Sequence, residues 1–230
     1  MNWSVIVLGI ILLILIYIIY IYYIADNSSV SYADLTKQQK NITNIDKPAS
    51  SQFTYYAWVY VVSWANAVGK PIYTMVSDSK NLMSLTLDQT QANLKFTINT
   101  NTTTGNADEQ VIITNNFPLQ TWVHVAVSVN SQLVDAYLNG KLVKSQRLEN
   151  LPTVTTSTGQ YIILGDGTNN DKLQINVSKF TRLSSYSQPA DVWRNYLAGS
   201  GQKNHSKKYG VQLSILQGGS ATQIFDILKA

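Results

Sequence analysis

Between Trp122 and Ser145 the chain reads WVHVAVSVNSQLVDAYLNGKLVKS. Val123, Val125, Val127 and Val129 alternate with Trp122, His124, Ala126 and Ser128, a period of two that only an extended strand resolves into one apolar and one mixed face. Asn139-Gly140, between LVDAYL and KLVKS, specifies a two-residue type I′ turn, because both central residues there need positive φ. Comparable runs recur as FTYYAWVYVVSW, PIYTMVS, LMSLTLD, NLKFTIN, QVIITNN, YIILGD and LQINVSKFTRL, separated by turn-rich stretches such as NTTTGNAD, VNSQ and GDGTNND. Many short strands without intervening helices imply an all-β fold of two packed antiparallel sheets. One short helix is expected in PADVWRNYLAG, with Pro189 in its first turn and Gly199 past its end. The tail YGVQLSILQGGSATQIFDIL reads as a last hairpin about Gly218-Gly219 that completes the sheet.

The amino terminus obeys a different rule. From Val5 to Ile24 runs VIVLGIILLILIYIIYIYYI, without charge or proline. As a helix it covers about 30 Å, the thickness of a bilayer's hydrocarbon core. Trp3 at one end and Tyr20, Tyr22 and Tyr23 at the other sit where amphipathic rings favour the headgroup level. A secretory signal has a basic start, a shorter apolar core and a small-residue cleavage site, and none of these is present. The reading is a single transmembrane helix over 1–25, anchored by Trp3, Val5, Leu12, Leu15, Tyr20, Tyr23 and Ile24. Residues 26–52 are polar and poor in bulky apolar side chains, which reads as a linker. Lys37 and Lys40 weakly favour a cytosolic domain.

Composition narrows the function. Cysteine is absent, which excludes disulfides and thiolate metal sites, and only 13% of residues are charged. The net charge of +4 is spread without a basic stripe, so no nucleic-acid partner is expected; the cluster KNHSKK at 203–208 reads as a solvated loop. Lysine far outnumbers arginine, and Asn, Ile and Tyr are abundant, the bias of an AT-rich genome.

The succession of W-V-H-V-A-V-S-V, V-D-A-Y-L-N-G-K-L-V, Y-I-I-L-G-D-G and V-S-K-F-T-R-L, followed by a helix, resembles the laminin-G-like domains of the concanavalin A-like lectin/glucanase superfamily. Trp122, His124, Tyr137, Asn139 and Gly140 match in type and spacing and form the fold signature. The resemblance covers about Phe53 to Gly199 and implies a two-sheet antiparallel jelly-roll sandwich over 53–200, with 201–230 as the tail. It implies little about the ligand, because one fold hosts many functions.

The candidate sites divide sharply. A glycoside hydrolase needs two carboxylates flanking the scissile bond, but the chain has only Glu109 and Glu149, lacks an E-x-D-x-E strand, and offers Asp135 with no carboxylate two residues away. No catalytic residue is assigned, and an enzyme is not expected. Some laminin-G-like domains hold Ca²⁺, and Asp166, Asn169 and Asp171 in GDGTNND supply the hard oxygens that Ca²⁺ takes, although any tight turn favours the same residues. No other cofactor is implied. His124 and His205 are too few for a His-based cage; His124 reads as a locally bonded sheet residue. Tyr56, Trp58 and Tyr60 share one strand face opposite Tyr55, Ala57, Val59 and Val61, and that aromatic stripe, like Trp64 nearby, reads as core before sugar platform. Three functions follow in order of expectation. The first is a membrane-anchored structural protein, a minor capsid protein that tethers the shell of a large DNA virus to its internal membrane in the virion. The second is a membrane-displayed lectin with a glycan partner, and the third a glycoside hydrolase.

Overall fold

The computed structural model describes residues 3–19, 29–63, 69, 71–88, 92–154, 159–165 and 174–202, and the backbone of 211–217 and 220–227. Up to Ser200 it contains helix α1 (Trp3–Ile19), strands β1 (Ser29–Asp34), β2 (Lys40–Ile42), β3 (Gln52–Val61), β4 (Pro71–Ser77), β5 (Lys80–Leu87), β6 (Leu94–Thr102), β7 (Gly105–Thr114), β8 (Trp122–Asn130), β9 (Leu133–Leu138), β10 (Lys141–Arg147), β11 (Tyr161–Leu164) and β12 (Ile175–Leu183), and helix α2 (Pro189–Leu197). Sheet I has the order β1-β12-β3-β8-β9-β10 and sheet II the order β2-β11-β4-β5-β6-β7, every pairing antiparallel. Together they form the expected all-β jelly-roll sandwich with one short helix.

Period-two alternation places the core between the sheets. Val123, Val125, Val127 and Val129 of β8 and Tyr55, Ala57, Val59 and Val61 of β3 face Tyr73, Met75, Leu85, Phe96 and Ile98 of sheet II in one buried cluster. Each such side chain contributes about 1.5–3 kcal/mol on leaving water. Tyr55 stacks on Tyr73 with ring centroids 4.9 Å apart, and both meet Phe180. Arg182 is 1% exposed at this core's margin. Its guanidinium lies 5.7 Å from the Phe53 ring centroid and donates to the carbonyl of Asp46 at 2.7 Å, which ties the loop before β3 to β12.

The segment read as a linker is largely folded. β1 and β2 lie inside it, β1 at the edge of sheet I and β2 at the edge of sheet II. An edge strand buries little: SVSYAD contributes only Ala33 as a buried side chain, too faint a pattern to mark a strand by composition. Residues 20–28 alone then separate α1 from the sandwich.

α1 covers part of the expected anchor, and no helix among the described residues is long and apolar enough to cross a membrane. Its 17 residues correspond to about 25 Å. Trp3, Leu12 and Leu15 are 80%, 60% and 50% exposed, as is the whole described surface of α1 from Val7 to Ile18 to a similar degree. Tyr20, Tyr23 and Ile24 lie outside the described residues, and Val5 is described by its backbone alone. In the tail, β13 (Val211–Gln217) and β14 (Ser220–Ile227) pair antiparallel as a two-stranded sheet of their own.

Replacing Arg182 by Ala is expected to lower the unfolding free energy by about 3 kcal/mol, from lost charged hydrogen bonds and packing on Phe53. A urea titration of the full chain checks this: the midpoint falls while the slope stays constant.

Candidate functional site

A break in the regular surface lies at one end of sheet II. β5 pairs with β6 from Met83 to Leu87, but its first residues, Lys80–Leu82, do not. There the segment Leu151–Thr153 takes over as the neighbour of β6: Asn101 N donates to Leu151 O at 2.9 Å, Thr153 N donates to Asn99 O at 2.8 Å, and Thr100 bridges to Pro152. Glu109 holds that segment from behind, its two carboxylate oxygens accepting from the amides of Glu149 at 2.8 Å and Asn150 at 3.1 Å. Between the displaced start of β5 and the inserted segment opens a groove of about 520 Å³, lined by Ser77, Asp78, Lys80, Asn81, Leu82, Asn99, Asn106, Asp108 and Thr153.

Seven of the nine lining residues carry an amide, hydroxyl or carboxylate, Lys80 and Leu82 being the others, and part of the lining is pre-ordered. Asn99 Nδ2 donates to Asp108 Oδ1 at 2.8 Å, and Thr153 Oγ1 donates to Asn99 Oδ1 at 2.7 Å, so Asn99 is held from both ends. The turn on the groove's rim has Asp78 at φ 47 and Ser79 at φ 63. Such a pair normally contains glycine, and a left-handed serine is an uncommon conformation that functional rims retain.

A second concavity of about 360 Å³ lies beside α2, lined by Tyr56, Leu183, Tyr186, Asp191, Arg194 and Asn195 among others. Its polar groups bond one another. Arg194 pairs with Asp191, Tyr186 Oη donates to Asp135 at 2.8 Å, and Asn195 Oδ1 lies 2.9 Å from His124 Nε2. This chemistry holds α2 on sheet I. Tyr56, Ala126, Tyr137 and Val192 form a small second core there. The His124 ring lies 5.3 Å from Trp58 and 5.9 Å from both Tyr56 and Tyr196. It is fully buried, and burial holds its pKa down at about 4, against a smaller upward pull from Asn195. Burial likewise pushes the Tyr137 phenol up, with Tyr186 and Asp135 adding to the rise.

The family model of the concanavalin A-like lectin/glucanases superfamily, of laminin G type, matches residues 32–205. The chain belongs to this superfamily. Its jelly roll is similar to the botulinum neurotoxin serotype D ligand-binding domain in complex with N-acetylneuraminic acid, at 15% identity, TM-score 0.55, 74% of this chain and 41% of that one. It is also similar to the serotype G binding domain, at 12% identity, TM-score 0.53, 74% of this chain and 42% of that one. A further structure of the serotype D binding domain shares 16% identity at TM-score 0.52, covering 70% of this chain and 40% of that one. The chain thus spans about two fifths of these toxin domains, and at such identity the likeness is one of fold. No curated protein matches the sequence.

The residues on which the resemblance was read also seat α2. Asn139 N donates to His124 O at 2.8 Å, and Asn139 Oδ1 accepts from His124 N at 3.0 Å, so the turn clips back onto β8. Asn139 and Gly140 have φ 49 and 77, the expected type I′ geometry. A Cβ on Gly140 would stand 2.7 Å from the Trp193 ring and 3.0 Å from Tyr196, so glycine also admits the helix. Trp122 packs on Tyr60 at 5.4 Å. Of Tyr56, Trp58 and Tyr60, read as core before sugar platform, the first two are buried on the α2 side of β3 and Tyr60 is half-buried.

The calcium candidates Asp166, Asn169 and Asp171 lie outside the described residues, as do Trp64 and His205. Among the described residues no cluster of three or more His, Asp or Glu side chains is placed to hold a metal. Sequence reasoning missed the groove because it took NTTTGNAD for a turn. β6 and β7 instead run through it to a tight reversal between Thr102 and Gly105, and so raise Asn99, Asn106 and Asp108 onto one surface. The signal was present: Asn101 continues the outward alternation of Lys95, Thr97 and Asn99 in NLKFTIN by one further step.

Two outcomes follow. Because the folded-state pKa of His124 is below that of a free histidine, the unfolded chain binds more protons between about pH 6.5 and 4. Stability is therefore complete above about pH 6.5 and declines by roughly 3 kcal/mol as the pH falls to 4, a slope that His124→Gln removes in pH-resolved denaturation. Gly140→Ala, which adds both a clash and a strained φ, is expected to cost more than about 2 kcal/mol in the same assay.

Proposed function

We propose that this chain is a non-catalytic recognition module that binds a glycan in the sheet II groove and is held at a lipid bilayer by its amino-terminal helix. The observation that carries the glycan reading is the lining itself. Sugars present hydroxyls that donate and accept in turn, and amides, hydroxyls and carboxylates fixed by mutual hydrogen bonds are their complement. Lys80 adds a cation for an acidic sugar. The toxin domain solved with N-acetylneuraminic acid supports the ligand class by analogy of fold.

A non-catalytic role is supported by how the carboxylates are engaged. Glu109 bonds the backbone of 149–150, Asp135 accepts from Tyr186, and Asp108 accepts from Asn99, each a fixed acceptor rather than a proton donor. The tether is supported by the sequence, which stays apolar from Ile19 to Ile24, and by the exposure of α1 from Val7 to Ile18. An all-apolar, uncovered helix needs an apolar medium.

The minor capsid tether is the second reading, and it keeps one observation: β10, an edge strand of sheet I with nearly every residue exposed, is open to pairing with another chain. A glycan array probed with the full chain in detergent micelles separates the two. The lectin reading expects binding to a restricted set of oligosaccharides without release of reducing sugar, weakened about tenfold by Asn81→Ala or Asn106→Ala, the loss of roughly one hydrogen bond each. Silence across a broad array would remove it in favour of the scaffold; release of reducing sugar would restore the hydrolase.

A further inference from the structure

The chain reaches the sandwich at one defined place. Residues 20–28 join α1 to β1 and, fully extended, span about 30 Å at most. β1 enters beside the carboxyl end of α2: Ser178 Oγ lies 3.1 Å from Ser31 O and 2.7 Å from Ser200 O, so one buried hydroxyl bonds both segments. Lys179 reinforces this corner, its ammonium donating to the carbonyls of Ala198 at 2.8 Å and Gly199 at 2.7 Å. The end of the tether and the end of α2 are one site on the molecule.

From this corner an exposed apolar stripe crosses the outside of sheet I. Tyr32, opposite Ser178 in the ladder and so on the α2 side, is 42% exposed. On α2, Leu197 is 64% and Trp193 41% exposed, one helical turn apart. Trp193 stands over Gly140, and beyond it Leu142 is 50% exposed, on the α2 side because it pairs with Tyr137. Val143 at the neighbouring bulge is 45% exposed, whereas Lys141 and Lys144, paired with Leu138 and Ala136, belong to the opposite face of β10. Large side chains left in water along one continuous face mark an interaction surface. Tryptophan and tyrosine among aliphatics is the composition of a surface that settles at lipid headgroups, where amphipathic rings find both phases.

We infer that the α2 face of the sandwich rests on the same bilayer that holds α1, with Trp193, Leu197 and Leu142 at the headgroup level. This rests on the tether reading above and fixes which way the domain faces: α2 toward the membrane. The argument for lipid over another occupant is proximity, since a leash of about 30 Å that ends at this face keeps it within reach of the surface.

The absence of cysteine makes the test direct. Single-cysteine variants Leu12→Cys, Leu197→Cys and Ile112→Cys, the last on β7 of sheet II, carry an environment-sensitive fluorophore in the full chain reconstituted into mixed phosphatidylcholine and phosphatidylserine vesicles. Nitroxide lipids labelled at the headgroup are expected to quench the probe at 197 several-fold more than that at 112, and acyl-chain nitroxides to quench the probe at 12. Leu142→Glu with Val143→Glu, which puts charge on the resting face, should cut quenching at 197 and leave that at 12 unchanged. A quenched probe at 12 with unquenched, water-like emission at 197 overturns the resting face and leaves the tether standing. Blue-shifted emission at 197 without quenching assigns the face to a protein or a second copy and also overturns it. An unquenched probe at 12 removes the tether and this proposal together.

Discussion

The central strands of sheet I, β3, β8 and β9, are buried on both faces, and the rest of the structure depends on how the outer face is closed. Valines and aromatics fill the inner side as in any sandwich. On the outer side α2 lies across β3, β8 and β9, over Tyr56, Trp58, His124 and Tyr137. A neutral histidine in an aromatic box, bonded through Nε2 to Asn195 while Nδ1 has no hydrogen-bond partner, is a costly group to bury and tolerates no charge. It is held because the Asn139-Gly140 turn clips onto its backbone and lets the helix approach. One short motif thus fixes a strand, a turn and a helix together.

On the readings proposed above, that closure separates two roles in space. The α2 side of sheet I carries paired polar groups and exposed apolar ones, the composition of a surface that docks. Sheet II, where β5 parts from β6, carries ordered amides and carboxylates around a groove, the composition of a surface that recognises a polar ligand. A module with its docking side and its recognition site on opposite sheets can lie against a support and present the groove away from it.

The sequence was legible where burial imposes a period. The β8 valines, the Asn139-Gly140 turn, the two-faced β3 and the helix opened by Pro189 were all readable, because each repeats or punctuates a pattern that packing requires. Edge elements were not. β1 and β2 passed for linker, since an edge strand with one or two buried side chains has no apolar period to show. The groove escaped for a related reason. Its lining residues are turn formers in composition, and only the register of β6 against β7, with the insertion of Leu151–Thr153, turns NTTTGNAD into a surface. The role of the signature residues was hidden too, because Gly140 reads as turn chemistry until Trp193 is found standing over it.

The account turns on α2 being part of the folded sandwich rather than an appendage to it. Amide hydrogen exchange of the full chain measures this directly. If the helix closes sheet I, the α2 amides from Trp193 to Leu197 exchange only through the same opening that exposes β8, and His124→Gln speeds the exchange of both. Exchange of α2 at the rate of a free peptide, with β8 still protected, would contradict the account at its base.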